Sequence, residues 1–277
     1  MVNDITSAHP APVPPRRRGR RTAALLSVVV LAGAALAACG DADGKDNGTV
    51  AADDTPATPG KKVLWLGDSI AGAEAPPLEA ALKASGQEFK NASSDGGGTV
   101  VEGNEIAADL ARMTWPEITK DLRAFRPDVI AYQITTYDWG TKEQQRTSYE
   151  KLAKAAADGG AALVIVSAPP FKADDGPYAK FGSTLATAAG AAEEVAARSG
   201  GKVRFLDAGA LWGTDHRAAR AQRSADGIHS CQQGSAAFAK WFTAELGKAY
   251  GFAPAPADEW ATGAWTGDAR YGKLGCK

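Results

Sequence analysis

Five short apolar runs of strand length, separated by helical stretches, constrain this chain more than any other feature. They are Lys62–Leu66 (KVLWL), a short segment near Glu88–Ala92, Asp128–Thr135 (DVIAYQIT), Ala161–Ser167 (AALVIVS) and Lys202–Leu206. Between and after them lie helical patterns over Glu74–Ser85, from Thr114-Trp115-Pro116 onward, from Thr141 to Asp158, over Tyr178–Ser199 and over Gly234–Tyr250. Continuously apolar strands are buried on both faces, and crossover helices join parallel neighbours. The pattern therefore predicts one α/β domain, a five-stranded parallel sheet with helices on both faces. In such sheets ligand sites gather at the carboxyl ends of the strands.

The helix boundaries carry their own chemistry. Thr141 with Gln144 three positions on has the spacing of a capping box. Thr114 followed by Trp115-Pro116 has the form of an N-cap with proline in the first turn. Phe238, Trp241, Phe242 and Leu246 fall on one face of the last helix.

Ahead of the sheet, Arg16–Arg21 is strongly basic, and the stretch from Ala23 to Ala38 is uncharged and rich in Leu, Val and Ala. This is a basic n-region followed by an apolar h-region. The run is short of the ~20 residues that span a bilayer, which sets an uncleaved anchor below a cleaved leader. It ends in Leu36-Ala37-Ala38-Cys39, which resembles the bacterial lipobox. That resemblance implies a signal peptide over 1–38, lipidation at Cys39, and a membrane-anchored protein outside the cytoplasm. The paired arginines leave twin-arginine export open beside the general route. Residues 39–60 are acidic, rich in Gly and Pro, and free of aromatics, the composition of a flexible tether.

The formal net charge is −1 and no basic stripe follows the leader, so nucleic-acid binding has no electrostatic footing. With Cys39 lipidated, Cys231 and Cys276 remain of three cysteines. An oxidising compartment favours a Cys231–Cys276 disulfide over two free thiols. Neither cysteine has metal-site spacing, and no metal or other cofactor is expected.

The first strand runs into Gly67-Asp68-Ser69-Ile70, ordinary turn chemistry taken alone. A serine hydroxyl becomes a nucleophile only beside a base. Two histidines follow the leader and tether, His216 and His229. His229 closes Ser224–Ser230 (SADGIHS), where Asp226 can fold back onto its imidazole across Gly227. His216 directly follows Asp215, and adjacent side chains tend to diverge.

GDSI at 67–70 with Asp226-Gly227-Ile228-His229, in that order on an α/β pattern, resembles the SGNH/GDSL hydrolase family over about residues 61–250. The resemblance implies a flavodoxin-like three-layer α/β/α sandwich and a serine esterase, lipase or acyltransferase. Carried onto this chain, Ser69 is nucleophile, His229 general base and Asp226 its orienting partner. The amides of Ser69 and of Gly97, within Gly96-Gly97-Gly98, form the oxyanion hole. The family's Gly-x-Asn-Asp block is here Thr135-Thr136-Tyr137-Asp138-Trp139, without the asparagine. Thr136, the Tyr137 hydroxyl or a backbone N–H are the substitutes on offer, and Asp68, Thr136 and Tyr137 are expected to line the substrate site.

The expected organisation is a leader over 1–38, a tether over 39–60, a hydrolase domain over 61–252, and a tail over 253–277 packed near the site. The tail's Trp260, Trp265 and Tyr271 are the basis for that last placement. The expected activity is hydrolysis of O-acyl esters, on polysaccharide or small lipids, by a monomer. Transfer of the acyl group to a saccharide, and a non-catalytic surface module, are the alternatives.

Overall fold

A computed structural model describes residues 60–174 and 176–276. The leader, Cys39 and all of the tether except Gly60 lie outside the described residues. β1 (Lys62–Leu66), β2 (Glu88–Asn91), β3 (Val129–Gln133), β4 (Ala162–Val166) and β5 (Val203–Leu206) form one sheet in the order β2-β1-β3-β4-β5. Every pairing is parallel. Chain direction across the sheet reverses between β1 and β3, the switch point where the strand ends leave a crevice.

Alternation along β1 divides the core. Val63 and Trp65 face α1 (Ser69–Ala84) and the late helix, with Phe238, Phe242 and Trp212. Leu64 and Leu66 face the opposite layer with Ile118, Tyr149, Leu152 and Val195. That layer is α2 (Glu105–Phe125), α3 (Lys142–Asp158) and α5 (Ala188–Arg198), with α4 (Gly176–Leu185) preceding α5. α6 (Gly209–Trp212), α7 (Gln232–Tyr250) and α8 (Ala269–Lys273) complete the chain. The result is the expected three-layer α/β/α architecture. No helix among the described residues is long and apolar enough to cross a membrane.

Three helix boundaries differ from expectation, each for a local reason. Thr114 does not cap α2. The helix starts ten residues earlier, at Glu105, where the Asn104 side chain accepts from the Ala107 amide, and Pro116 sits in its interior. Pro116 has no N–H to bond the Arg112 carbonyl one turn back, and Arg112 is an exposed residue. The Thr114 hydroxyl bonds back to the Leu110 carbonyl. The stretch expected as one helix over Tyr178–Ser199 is two, because buried Gln145 of α3 donates to the Thr184 carbonyl at the break and accepts from Thr187 Oγ1.

α1 begins at Ser69 rather than at Glu74, and it carries Pro76 and Pro77 inside. Proline cannot bond the carbonyl four residues back, so Pro77 leaves that of Ala73 unpaired within the helix. Two outside groups take it: Ser235 Oγ at 3.0 Å and Tyr271 Oη at 2.9 Å. The Thr141–Gln144 capping box is present.

Candidate active site

Asp68 sets the turn after β1. Its Oδ1 accepts from the Ile70 amide as N-cap of α1, and its Oδ2 accepts from the Thr136 amide and from Thr136 Oγ1, each at 2.7 Å. Burial pushes the Asp68 carboxyl up, while the bonds from Thr136 and Ile70 pull it back. The loop after β1 is thereby tied to the loop after β3. Asp68 and Thr136 are 1% and 2% exposed, bonded to one another, and neither is among the residues lining the pocket at Ser69.

Ser69 is the first residue of α1, where a backbone N–H has no carbonyl one turn earlier to bond. Its Oγ lies 2.9 Å from His229 Nε2, and His229 Nδ1 lies 2.7 Å from Asp226 Oδ2. Asp226 Oδ1 accepts from Ser224 Oγ and from the amides of Ile228 and His229. Burial raises the Asp226 carboxyl, but the bonds from His229, the Ile228 amide and Ser224 outweigh it and hold it below the usual carboxylate range. Such a carboxylate fixes the imidazole tautomer with Nδ1–H toward Asp226 and leaves Nε2 to accept from the serine. Gly227 makes the turn possible at φ +73°, in the left-handed region.

The turn is held from behind by residues that sequence inspection passed over. Arg223 pairs with Ser230 as an isolated antiparallel bridge and donates to the carbonyls of Ala221 and Ile228. Its guanidinium stacks 4.5 Å over the Trp212 ring. Glu74, fully buried one turn and a half beyond Ser69, accepts from Gln133 Nε2 at 2.7 Å. Burial lifts its carboxyl to about 7, against the pull of Arg223 and Gln133. No local motif marks either residue. His216 borders Gly227 and is not among the residues lining the Ser69 pocket.

Gly97 is not brought into the pocket that Ser69 and His229 line. It lies against the Tyr137 ring and lines a neighbouring cavity of 520 Å³ with Leu66, Gly67 and Tyr132. Of the substitutes for the missing asparagine, Thr136 is bonded to Asp68, and the Tyr137 amide donates to Thr135 Oγ1. The Tyr137 hydroxyl sits 3.5 Å from that of Tyr178, and burial raises its pKa. Asp138, the last residue of the altered block that is charged, accepts from four hydroxyls: Thr99, Tyr132, Thr135 and Tyr149. It is a buried brace, not a site group.

The tail forms one wall of the pocket. Asp268, Arg270, Lys273 and Leu274 line it beside Ser69 and His229, with Asp95 from the loop after β2. Cys231, two residues past His229, is bridged to Cys276. Among the described residues no cluster of three His, Cys, Asp or Glu side chains is placed to hold a metal.

No family model and no curated protein matches the chain. Solved structures do. A Bacteroides thetaiotaomicron GDSL-like lipase superposes with TM-score 0.51 at 12% identity, over 68% of this chain and 89% of its own. A Bacteroides fragilis protein assigned as an acylhydrolase gives 0.51 at 13%, over 68% and 87%. A Bacteroides ovatus protein assigned as a GDSL-like lipase gives 0.50 at 16%, over 72% and 56%. Sheet order, helix layers and these superpositions agree: the chain has the SGNH/GDSL hydrolase fold.

Proposed function

We propose that the chain is a serine hydrolase of SGNH type that cleaves O-acyl esters through an acyl-enzyme on Ser69. The hydrogen-bonded relay Ser69 Oγ–His229 Nε2–Asp226 carries this reading. Ser69 Oγ attacks the ester carbonyl as its proton passes to His229 Nε2. Asp226 stabilises the imidazolium, which then protonates the departing alkoxide as the C–O bond breaks. Water, deprotonated by His229, attacks the acyl-enzyme, and the proton returns to Ser69 as the acid leaves. The Ser69 amide, at the start of α1, supplies an oxyanion donor.

The lipobox resemblance and the tether support a lipid-anchored enzyme facing the cell exterior, where O-acylated polysaccharides and lipid esters are the available substrates. Labelling with a fluorophosphonate and turnover of 4-nitrophenyl acetate test the reading. Ser69→Ala is expected to abolish labelling and to lower turnover by about 10³-fold or more. Undiminished turnover in that variant refutes the assignment. Products formed with a saccharide acceptor separate hydrolysis from acyl transfer, which uses the same residues.

A further inference from the structure

Behind the catalytic turn lies a group of buried polar side chains for which the acyl transfer described above has no use. Glu74 is fully buried on α1, the helix that begins at Ser69, and Ser230, equally buried, directly follows His229. Arg223 faces Ser230 across the isolated bridge that closes the turn. α7 and α8 pack against the same stretch of α1, where Ser235 Oγ and Tyr271 Oη bond the carbonyl of Ala73.

Three atoms of this group are buried without a hydrogen-bond partner: Glu74 Oε1, Arg223 Nη2 and Ser230 Oγ. One is an acceptor and two are donors. The other polar atoms of Glu74 and Arg223 are committed. Glu74 Oε2 accepts from Gln133 Nε2 at 2.7 Å, and Arg223 Nε and Nη1 donate to the carbonyls of Ala221 and Ile228 at 2.7 and 3.1 Å. The Trp212 ring fixes the guanidinium from one side. Buried polar groups left unpaired are costly, so a small movement that joins an acceptor to two donors is favoured.

The carboxyl meets both donors fully only when ionised. With Oε2 taken by Gln133, the proton of the neutral acid sits on Oε1 and turns a donor toward two donors. A carboxylate there gains charge-assisted bonds, the strong kind. Charged and titratable groups act on Glu74 from every side. Burial pushes it up to about 7, Arg223 and Gln133 pull it down, Asp68 of the turn after β1 raises it, and Ser230 lowers it. Burial and, more weakly, Glu74 raise the Tyr271 hydroxyl of α8. Burial lowers the Arg223 guanidinium, against the pull of Glu74 and of Asp226 in the catalytic turn.

We propose that Glu74 is a positioning residue for His229: as a carboxylate it takes Arg223 Nη2 and Ser230 Oγ on Oε1 and clamps the catalytic turn to the helix that carries Ser69. Arg223 and Ser230 flank Asp226 and His229 in the chain, so the clamp grips the turn at both ends without touching substrate. Protonation of Glu74 releases it, and the Ser69–His229 pair loosens. The proposal rests on the serine-hydrolase reading and adds a residue outside the relay.

The test measures kcat and KM for 4-nitrophenyl acetate with the full chain at pH 5 and pH 8. At pH 5 Glu74 is neutral, and Glu74→Gln, its neutral isostere, is expected to match wild type. At pH 8 the variant is expected to lose about tenfold in kcat with KM unchanged. A merely structural role lowers activity alike at both pH values, and that result, or equality at both, overturns the proposal. Ser230→Ala removes one small hydroxyl and serves where Glu74→Gln folds poorly. It is expected to lose about threefold at pH 8 alone, and to add nothing to Glu74→Gln, because coupled groups are not additive. Full additivity of the two overturns the clamp. The His229 Nδ1–H, bonded to Asp226, gives a downfield proton NMR line that needs no turnover. That line should coincide in wild type and Glu74→Gln at pH 5 and separate at pH 8, and coincidence at both overturns the proposal. Wild-type turnover no faster than that of Ser69→Ala, with the lines separating as expected, strikes the hydrolase reading and leaves the clamp standing.

Discussion

At the scale of single residues, two fully buried carboxyls, Asp68 and Glu74, lie near Ser69, and they behave differently. Asp68 meets three donors, whereas Glu74 meets one, from Gln133, and its Oε1 is unpartnered. A carboxyl raised to about 7 on folding binds a proton more tightly in the native state. The stability it contributes is complete below the unfolded value near 4.5 and is lost as pH rises through about 7. At about 1.4 kcal/mol per pH unit, that amounts to about 3 kcal/mol between pH 5 and 8. Urea unfolding at the two pH values should show this loss in wild type and not in Glu74→Gln, the difference between the two profiles isolating Glu74.

At the scale of elements, α1 owes its form to partners far along the chain. Pro77 opens the ladder at Ala73, and the hydroxyls of Ser235 and Tyr271 close it. Tyr271→Phe should cost about 1 kcal/mol in urea unfolding, the net worth of one hydrogen bond. In Pro77→Ala the restored N–H bonds Ala73 itself, so the penalty for Tyr271→Phe should shrink in that background. α1 also shows where local patterns mislead. Pro76-Pro77 and the lack of acidic residues in its first turn hid its start, which a long-range bond from the Thr136 amide to the Asp68 carboxylate secures. The Thr141 cap, wholly local, was legible, and Thr114 was misjudged because an N-cap signature and a mid-helix back-bond use the same residue types.

For the molecule as a whole, the Cys231–Cys276 bridge spans 45 residues and fastens the catalytic turn to the tail. Closing a loop of that length stabilises by about 4 kcal/mol in the chain-entropy model. Cys276→Ser should therefore lower unfolding stability by up to about that amount. It should also lower turnover of 4-nitrophenyl acetate, since Arg270 and Lys273 of the tail line the pocket at Ser69. Reducing agent should reproduce both effects in wild type and neither in the variant.

Strand-length apolar runs, their spacing and the GDSI and DGIH segments by themselves determined the layered parallel sheet and the order in which Ser69, Asp226 and His229 follow along the chain. Those features are short-range: burial on two faces shows as continuous apolar sequence, and a three-residue turn shows as its own glycine. The tertiary structure alone decided that Asp68 and Thr136 bond one another, that Gly97 lies beside Tyr137 outside the Ser69 pocket, and that Arg223 and Glu74 back the catalytic turn. It also decided that Asp268, Arg270 and Lys273 of the tail line the pocket at Ser69. Apart from the hold of Arg223 on Ile228, these join residues tens of positions apart or more, and such meetings are set by how the layers pack rather than by any local pattern.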